Sequence, residues 1–264
     1  MDSNPMRGRA MLPMERQQRI TDILQENGIV QVSRLAEEFG VSELTIRRDL
    51  DQMEESRLLK RTHGGATILR NMNAEPHYLQ KAAQFAEEKK RIAQKAAEFV
   101  EDNDIVMVNS GTTASAVLRA LLESGKTITI ITNNIDVFNQ PDTLGKCTII
   151  LTGGIYRSRS RALSGSLAIN PLEGMFANKA FIGVDGISED VGLTTPIYEE
   201  SVVSRMMLTH TSGKAYVIAT HNKIGVTSNY RIGKLDEIHG IITDREGAEF
   251  FRTDSDIKAE IIEA

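Results

Sequence analysis

The stretch that most limits what this chain can fold into is residues 40–65, with the sequence GVSELTIRRDLDQMEESRLLKRTHGG. Within it Ile46, Leu50 and Met53 recur at intervals of four and three residues, which places them on one face of a helix. Ser42 stands just before this helix and is a residue type that accepts a backbone N–H from the first turn. The pattern therefore predicts a capped helix with one buried face.

Other residues near the N-terminus of this helix point away from its apolar face and form an exposed, basic surface. They are Leu44, Thr45, Arg47 and Arg48. Upstream, residues 32–39 predict a shorter helix with Ser33 as its N-cap, and Gly40 ends it. Two short helices joined by a tight turn form the unit that lays its second helix in the major groove of DNA.

A short basic segment follows the second helix and predicts a wing. Strands over residues 58–61 and 66–69 can pair across a tip that contains His63, Gly64 and Gly65, because glycine permits a tight turn. We expect the helix to meet base edges and the wing to meet phosphates. The predicted DNA-binding residues are Ser42, Leu44, Thr45, Arg47, Arg48, Lys60, Arg61, His63 and Gly64.

Residues 14–66 resemble the N-terminal winged-helix domain of DeoR-type bacterial transcriptional repressors. The resemblance rests on Val41 and Ser42, on the TIRRDL motif of residues 45–50, and on the RTHGGA motif of residues 61–66. One position departs from the family pattern, since Ser56 stands where the family usually has glycine. The recognition helix must then end without the left-handed conformation that glycine adopts easily.

The charge of this domain does not by itself favour DNA. Residues 14–70 hold nine Arg or Lys against ten Asp or Glu, and the whole chain carries a net charge of −5. Binding must therefore depend on a local basic surface and on more than one domain engaging DNA at once. We expect a homo-oligomer, either a dimer or a tetramer.

Composition indicates a globular protein with a substantial core, because hydrophobic residues make up 41% of the chain and charged residues 25%. No apolar run approaches the roughly 20 residues that span a bilayer, and residues 1–13 are mixed and polar, so we expect a cytoplasmic protein without membrane contact. Cys147 is the single cysteine, which excludes an intramolecular disulfide and favours a packed thiol. The five histidines show no metal-ligand spacing, and we expect neither a metal nor a cofactor.

The predicted domain organisation has four parts. Residues 1–13 form a flexible arm, residues 14–70 the winged helix-turn-helix, residues 71–78 a linker around Pro76, and residues 79–264 a larger α/β domain. A helix over residues 79–100 opens that domain. Beyond it, six β-rich runs alternate with helical ones, which favours a mostly parallel sheet covered on both faces, with ligands at the carboxyl ends of the strands. The strands are expected at 105–108, 127–131, 148–151, 180–184, 215–219 and 238–242.

A small loop containing glycine follows the first of these strands and opens a helix. Backbone N–H groups in such a loop can approach an anion, and the helix dipole favours its negative charge. No Gly-Lys-Ser/Thr follows, so this is not a Walker A sequence, and a plain capping loop is the better explanation when the loop is taken alone. Small or polar residues also follow the other strands, and all these ends would converge on one crevice.

These strand ends, in this order, resemble the C-terminal effector domain of the DeoR-type regulators, which is similar in fold to ribose-5-phosphate isomerase and glucosamine-6-phosphate deaminase. The resemblance implies a sugar phosphate effector. The predicted effector-binding residues are Asn109, Ser110, Gly111, Thr112, Thr113, Asn133, Gly153, Gly154, Arg157, Asp185 and Lys223. We expect the neighbouring Arg159 and Arg161 to lie on an exposed loop.

An active sugar-phosphate isomerase with a fused DNA-binding head is the alternative. Such an enzyme needs a carboxylate base, and ribose-5-phosphate isomerase carries an Asp-Gly-x-Asp motif where this chain has Asp185, Gly186, Ile187 and Ser188. The second carboxylate is absent, although Glu199 and Glu200 could serve as bases. We therefore predict a regulator of carbohydrate use and not an enzyme. A third interpretation, a winged helix for protein contacts beside a purely structural domain, predicts no salt-dependent DNA binding.

Three further positions depart from the regulator pattern. The family usually has Asp at the positions of Asn109 and Asn178, and an acidic residue at that of Thr220. These replacements change the charge at the effector end of the domain.

Overall fold

The computed structural model describes residues 11–27, 29–56, 58–62, 64–68, 78–139, 146–254 and 257–264. The chain divides into two compact units, residues 1–70 and 71–264. The predicted contact His63, most of the predicted N-terminal arm and residues 71–77 of the predicted linker lie outside the described residues. The predicted class, an N-terminal winged helix-turn-helix followed by a mostly parallel α/β domain, is confirmed.

The described part of the first unit contains three helices and a three-stranded antiparallel sheet in the order β1-β3-β2. Its elements are α1 (Pro13–Asn27), β1 (Ile29–Gln31), α2 (Val32–Phe39), α3 (Glu43–Glu55), β2 (Leu59–Thr62) and β3 (Gly65–Ile68). Ile46, Leu50 and Met53 of α3 are buried, as their spacing predicts. They pack with Ile20 and Leu24 of α1 in one core cluster.

The strand β1 could not be expected from periodicity, because three residues are too few to show it. It pairs with the wing strand β3, and this pairing requires glycine at the wing tip. A Cβ atom on Gly65 would lie 1.8 Å from the carbonyl oxygen of Val30. The wing strands themselves lie within one residue of the predicted ranges.

The prediction that Ser33 is the N-cap of α2 is wrong. The N-cap is Gln31, and it makes no side-chain capping hydrogen bond. Since β1 runs directly into α2, the backbone N–H of Val32 donates instead to the carbonyl oxygen of Gly64, at 2.9 Å. At the far end of α3, Ser56 closes the helix with φ −78° and ψ 1°, so this helix ends without a left-handed residue.

The second unit is built on a seven-stranded sheet in the order β15-β14-β12-β9-β4-β5-β6, in which every pair of neighbours is parallel. The strands are β4 (Ile105–Val108), β5 (Thr129–Thr132), β6 (Thr148–Leu151), β9 (Ala177–Gly183), β12 (Thr211–Ile218), β14 (Gly240–Thr243) and β15 (Glu260–Glu263). Six of these correspond to the predicted strands. The seventh, β15, was not predicted.

Helices cover both faces of this sheet. They are α4 (Tyr78–Ala83), α5 (Ala86–Glu98), α6 (Thr112–Glu123), α7 (Ser166–Ile169), α8 (Tyr198–Thr209) and α9 (Arg245–Asp254). Side chains of α5 and α6 pack with one face, for example Ile92 and Leu118. Side chains of α8, including Val203 and Met207, pack with the other face.

Several parts of this unit differ from the sequence predictions. The single helix expected over residues 79–100 is two helices, because Phe85 between α4 and α5 has a left-handed backbone with φ 53°. Two of the helical runs expected between strands, over residues 135–140 and 167–176, contain 3-10 helices, at Ile135–Asn139 and Asn170–Gly174. Five short strands, which form a hairpin and a three-stranded antiparallel sheet, were not predicted. They are β7 (Ile155–Arg157), β8 (Ala162–Ser164), β10 (Gly186–Ser188), β11 (Gly192–Thr195) and β13 (Tyr230–Gly233).

The Cys147 thiol and the character of the helices bear on two predictions made from composition. Burial raises the pKa of the Cys147 thiol, as expected for a packed side chain. In the described part of the chain, no helix combines the length and the apolar character needed to cross a membrane.

Candidate functional site

The exposed face of α3 is the first candidate site. Leu44 is 59% exposed although it is a large apolar residue, and Arg48 beside it is also exposed. Ser42 caps the helix by accepting the backbone N–H of Thr45 at 3.2 Å, so its hydroxyl shapes the helix start. The result is a helix that presents one apolar and one cationic side chain opposite its buried stripe.

The other cationic residues predicted to contact DNA have different surroundings. Arg47 pairs with Glu43 on the same helix at 3.4 Å, where both side chains are exposed, and Lys60 on β2 is exposed as well. The Arg61 side chain, by contrast, is 18% exposed and pairs through Nε with Asp51 at 3.0 Å. Its Nη1 donates to the carbonyl oxygen of Gly65 at 2.6 Å. Arg61 is thus held within the domain.

The second candidate site is a pocket at the carboxyl ends of β4 and β9, where a parallel sheet places its ligands. Seven of the predicted effector residues line it: Asn109, Ser110, Gly111, Thr112, Thr113, Asp185 and Lys223. They come from three separate strand ends. The predicted convergence therefore covers these three strand ends, whereas the residues predicted after β5 and β6, Asn133, Gly153 and Gly154, do not line this pocket.

The loop at the start of α6 forms one wall of the pocket. Gly111 is the N-cap of α6 with φ 127°, a conformation that side chains with a Cβ atom rarely adopt, and it makes no side-chain capping bond. Neither Thr112 nor Thr113 is fully buried. The first backbone N–H groups of a 12-residue helix therefore lie at the pocket wall, with the positive end of the helix dipole behind them.

Two lysines and one aspartate also line the pocket. The Nζ atoms of Lys81 and Lys223 lie 2.7 and 3.4 Å from the same oxygen of Asp185. Burial alone would raise the pKa of Asp185, but the two ammonium groups outweigh it and hold that pKa well below its usual range. The three side chains together carry one net positive charge in the pocket wall.

Asn109 is part of the framework of the pocket. Its Nδ2 donates to the carbonyl oxygen of Gly183 and to Oγ of Ser204, both at 2.9 Å, and its Oδ1 accepts from the Gly183 backbone N–H at 2.7 Å. These bonds tie the end of β4 to the end of β9. A carboxylate could accept from Gly183 but could not donate to it.

Four predicted effector residues lie outside the lining of this pocket. Asn133 is buried and donates to the carbonyl oxygen of Leu163 at 2.9 Å. Gly153 and Gly154 connect β6 to the β7–β8 hairpin. Arg157 lies 3.3 Å from a carboxylate oxygen of Glu200, which does line the pocket, so it contacts a residue of the lining.

Other lining residues were not among the predicted site residues. They are Tyr78, Lys81, Ala114, Arg159, Ser160, Gly183, Val184, Thr195, Pro196, Glu200, Ser204 and Ile232. Tyr78, expected in the linker, opens α4 and is buried, and its hydroxyl bonds to Ser115 at 2.8 Å and to Asp136. Arg161, expected on an exposed loop, pairs with Asp136 at 2.8 Å and lies over the Tyr78 ring.

His221 is a poor candidate for effector contact. His221 is buried, and its Nδ1 lies 2.6 Å from Asp244. Burial alone would lower its pKa, but the bond to Asp244 and the nearby carboxylates raise that pKa above its usual value. Among the described residues, no group of three or more His, Cys, Asp or Glu is placed to hold a metal ion.

Comparison with known proteins covers both units. The DeoR-like helix-turn-helix domain matches residues 16–71, and the DeoR C terminal sensor domain matches residues 84–245. The HTH-type transcriptional regulator GlpR of Haloferax volcanii is 34% identical over 237 residues, which is 89% of this chain and 91% of the relative. The glycerol-3-phosphate regulon repressor of Escherichia coli is 32% identical over 234 residues, 89% of this chain and 92% of that protein.

Part of the chain also matches a solved ribose 5-phosphate isomerase A from Methanocaldococcus jannaschii. The match covers 53% of this chain and 55% of that chain, with 14% identity and a TM-score of 0.39. A similarity this low supports no conclusion about activity. The two transcriptional regulators named above, in contrast, match nearly the whole chain.

Proposed function

Because the chain belongs to the DeoR family of transcriptional regulators, we propose that it is a repressor that binds operator DNA through residues 14–70 and leaves it when a sugar phosphate occupies the pocket of its sensor domain. Membership of a regulatory family confirms the prediction of a transcriptional regulator. The isomerase alternative receives no support, since the relatives named above are all regulators.

The pocket wall carries the sugar phosphate proposal. A phosphate needs N–H donors and positive charge, and the lining of the pocket offers both. The N–H donors are at the uncapped start of α6 at Thr112 and Thr113, and the positive charge is on the ammonium groups of Lys81 and Lys223. Since Asp185 neutralises one of those charges, a bound phosphate would compete with its carboxylate for the two lysines.

The sugar part of the ligand would lie against other polar residues of the pocket lining. Thr195 and Ser204 offer hydroxyl groups, and Glu200 offers a carboxylate held by Arg157. Carboxylates and hydroxyl groups accept hydrogen bonds from sugar hydroxyls and so distinguish a sugar phosphate from free phosphate. We expect these residues to select among sugar phosphates.

On the DNA side, the exposed face of α3 would enter the major groove. Leu44, Thr45 and Arg48 would meet base edges, with Arg47 and Lys60 on phosphates and the exposed turn at Gly64 near the backbone. Because residues 14–70 are not net basic, one such domain would bind DNA weakly. A homo-oligomer, a dimer or a tetramer, would supply the remaining affinity by presenting two or more recognition helices.

A thermal-shift screen tests the sensor half of this proposal. Phosphorylated sugars are compared with their unphosphorylated forms, such as ribose 5-phosphate with ribose and glycerol 3-phosphate with glycerol. A ligand at 100 times its Kd stabilises the protein by about 2.7 kcal/mol, so a true effector raises Tm while its unphosphorylated form does not. If no phosphorylated compound raises Tm, the proposed ligand class is wrong.

A further inference from the structure

The recognition helix α3 is held on both flanks by an arginine from a neighbouring element. At about 100° of rotation per residue, Asp49 lies about 60° to one side of the buried Ile46, and Asp51 lies about 140° to the other side. Arg16 of α1 pairs with Asp49, and Arg61 of β2 pairs with Asp51. The exposed face with Leu44 and Arg48 lies between these two attachments.

The contact on the α1 side is a buried ion pair. The Arg16 guanidinium donates to both carboxylate oxygens of Asp49, at 2.5 and 3.0 Å, and the two side chains are 7% and 6% exposed. A third donor of Arg16 reaches the carbonyl oxygen of Met11 at 2.9 Å. Two parallel N–H···O bonds fix direction as well as distance, so this pair restricts rotation of α3 against α1. Gln17 adds a second bond between the same helices, to Gln52 at 3.0 Å.

The contact on the wing side uses two groups of Arg61. Its side chain bonds to Asp51 at 3.0 Å and to the carbonyl oxygen of Gly65 at 2.6 Å. Its backbone N–H donates to the Glu54 carboxylate at 2.7 Å. The wing strand β2 is therefore tied to two successive turns of the recognition helix.

From this arrangement we propose that Arg16 and Arg61 are positioning residues, which set the rotation of the recognition helix and so the direction in which Arg48 meets a base. The proposal rests on the proposed DNA-binding function. A rotation of 10° moves the tip of a long side chain on a helix surface by about 1–2 Å. The useful range of an N–H···O bond is about 0.5 Å wide, so that rotation is enough to lose a bidentate base contact.

The same two arginines reduce the negative charge near Arg48. Asp49 and Asp51 lie one and three residues after Arg48 and would repel DNA phosphates if they were unpaired. Arg16 and Arg61 neutralise them within the domain. This pairing offsets two negative charges close to Arg48, although acidic residues still outnumber basic ones over residues 14–70 and Glu43, Glu54 and Glu55 of α3 stay exposed.

The test first needs a DNA site, because the operator sequence is unknown. The full wild-type chain selects a duplex from a randomised library, and each variant is then titrated with that duplex and with a scrambled duplex of the same composition. The discrimination ratio is the scrambled Kd divided by the selected Kd. If the wild-type chain selects no site, the proposed DNA-binding function fails before any variant is compared.

Arg16→Lys keeps the charge but loses the two-pronged geometry, and it should lower the discrimination ratio by at least about fivefold, the lower end of what one base contact provides. The double variant Arg16→Met with Asp49→Leu removes the pair and the uncompensated carboxylate together. We expect the double variant to have the Tm of wild type and a discrimination ratio as low as that of Arg16→Lys. Arg19→Met, which removes an exposed ion pair of α1 with Glu38, is the control and should leave the ratio unchanged.

A folded Arg16→Lys protein and a folded double variant that both discriminate as well as wild type would overturn the proposal for Arg16. For Arg61 the salt dependence decides between two roles. Loss of a phosphate contact lowers the slope of log K against log salt by about one, whereas loss of a positioning contact leaves the slope unchanged and lowers the ratio. Arg61→Met with a lowered slope and an unchanged ratio would show a phosphate contact and would contradict the positioning role.

Discussion

Lys81 donates from Nζ to Oδ1 of Asp185 at 2.7 Å, and this bond joins α4, the first described helix of the sensor domain, to the carboxyl end of β9. Lys223 approaches the same oxygen at 3.4 Å. A phosphate that binds the lysines must weaken their attachment to Asp185. Occupation of the pocket and the position of α4 are then linked by one set of contacts.

Removing the Lys81 ammonium group should weaken phosphate binding. Charge-assisted hydrogen bonds contribute about 1.5–3 kcal/mol, so Lys81→Met should raise the Kd for a sugar phosphate at least about tenfold, and Lys223→Met should act in the same direction. Isothermal titration with the compound that gives the largest thermal shift measures this. Lys95→Met is the matched control, because it removes a lysine–carboxylate pair on the surface of α5. Equal affinity in Lys81→Met and wild type would exclude Lys81 from the site.

Asn109→Asp should destabilise the sensor domain although the family usually has aspartate there. The carboxylate would face the carbonyl oxygen of Gly183, to which the amide now donates at 2.9 Å. An unsatisfied buried acceptor costs about 1–3 kcal/mol, which lowers Tm by about 2–4 °C for each kcal/mol in a domain of this size. Asn178→Asp is the control, because Asn178 uses an oxygen to accept from the Ile105 N–H at 2.8 Å, which a carboxylate can also do. Scanning calorimetry in which both variants melt with wild type would contradict this account.

Arg48→Ala should relax the choice of DNA sequence. One bidentate contact to a base provides about 1–3 kcal/mol of discrimination, so the preference for the selected duplex should fall by about fivefold or more. Arg47→Ala should instead weaken binding to selected and scrambled duplexes alike, since Arg47 is proposed to contact phosphates. Competition binding with both duplexes measures the difference. Unchanged discrimination in Arg48→Ala would remove this residue from the base-reading surface.

The pair of His221 and Asp244 should make the stability of the sensor domain depend on pH. The pKa of His221 is raised in the folded state above its unfolded value of about 6.5. The pair therefore contributes its full stability below about pH 6.5 and loses it as pH rises through the folded pKa. The Tm of wild type minus that of His221→Gln should be larger at pH 6 than at pH 9. A difference that is constant over this range would show that His221 does not titrate as described.

The sequence alone predicted those elements whose determinants are local. Ser42 and the spacing of Ile46, Leu50 and Met53 define α3 within a dozen residues, and each residue is placed as expected. The same holds for the loop before α6, where a glycine and small polar residues follow a strand. Periodicity and capping act over one or two turns, so a sequence displays them directly.

Features that depend on distant residues escaped prediction. Lys81 lies in a run that resembles a solvated helix, and Asp185, which draws it into the pocket, is 104 residues away. From its place in the sequence Arg61 is predicted to contact a phosphate, and its bond to Asp51 becomes evident only in the folded wing. Tyr78 was assigned to the linker because its neighbours are polar, and the Ser115 and Asp136 side chains that hold it come from other elements. Such pairs become visible when the sheet order is known.

The central claim is that occupation of the pocket controls DNA binding, and one titration tests it directly. The affinity of the wild-type chain for its selected duplex is measured by fluorescence anisotropy, with and without a saturating sugar phosphate identified by its thermal shift. Allosteric couplings of about 1–3 kcal/mol predict that the Kd for DNA rises about 5- to 150-fold with the sugar phosphate and stays unchanged with the unphosphorylated sugar. An unchanged or tighter DNA affinity at proven saturation would contradict the account of a repressor released by a sugar phosphate.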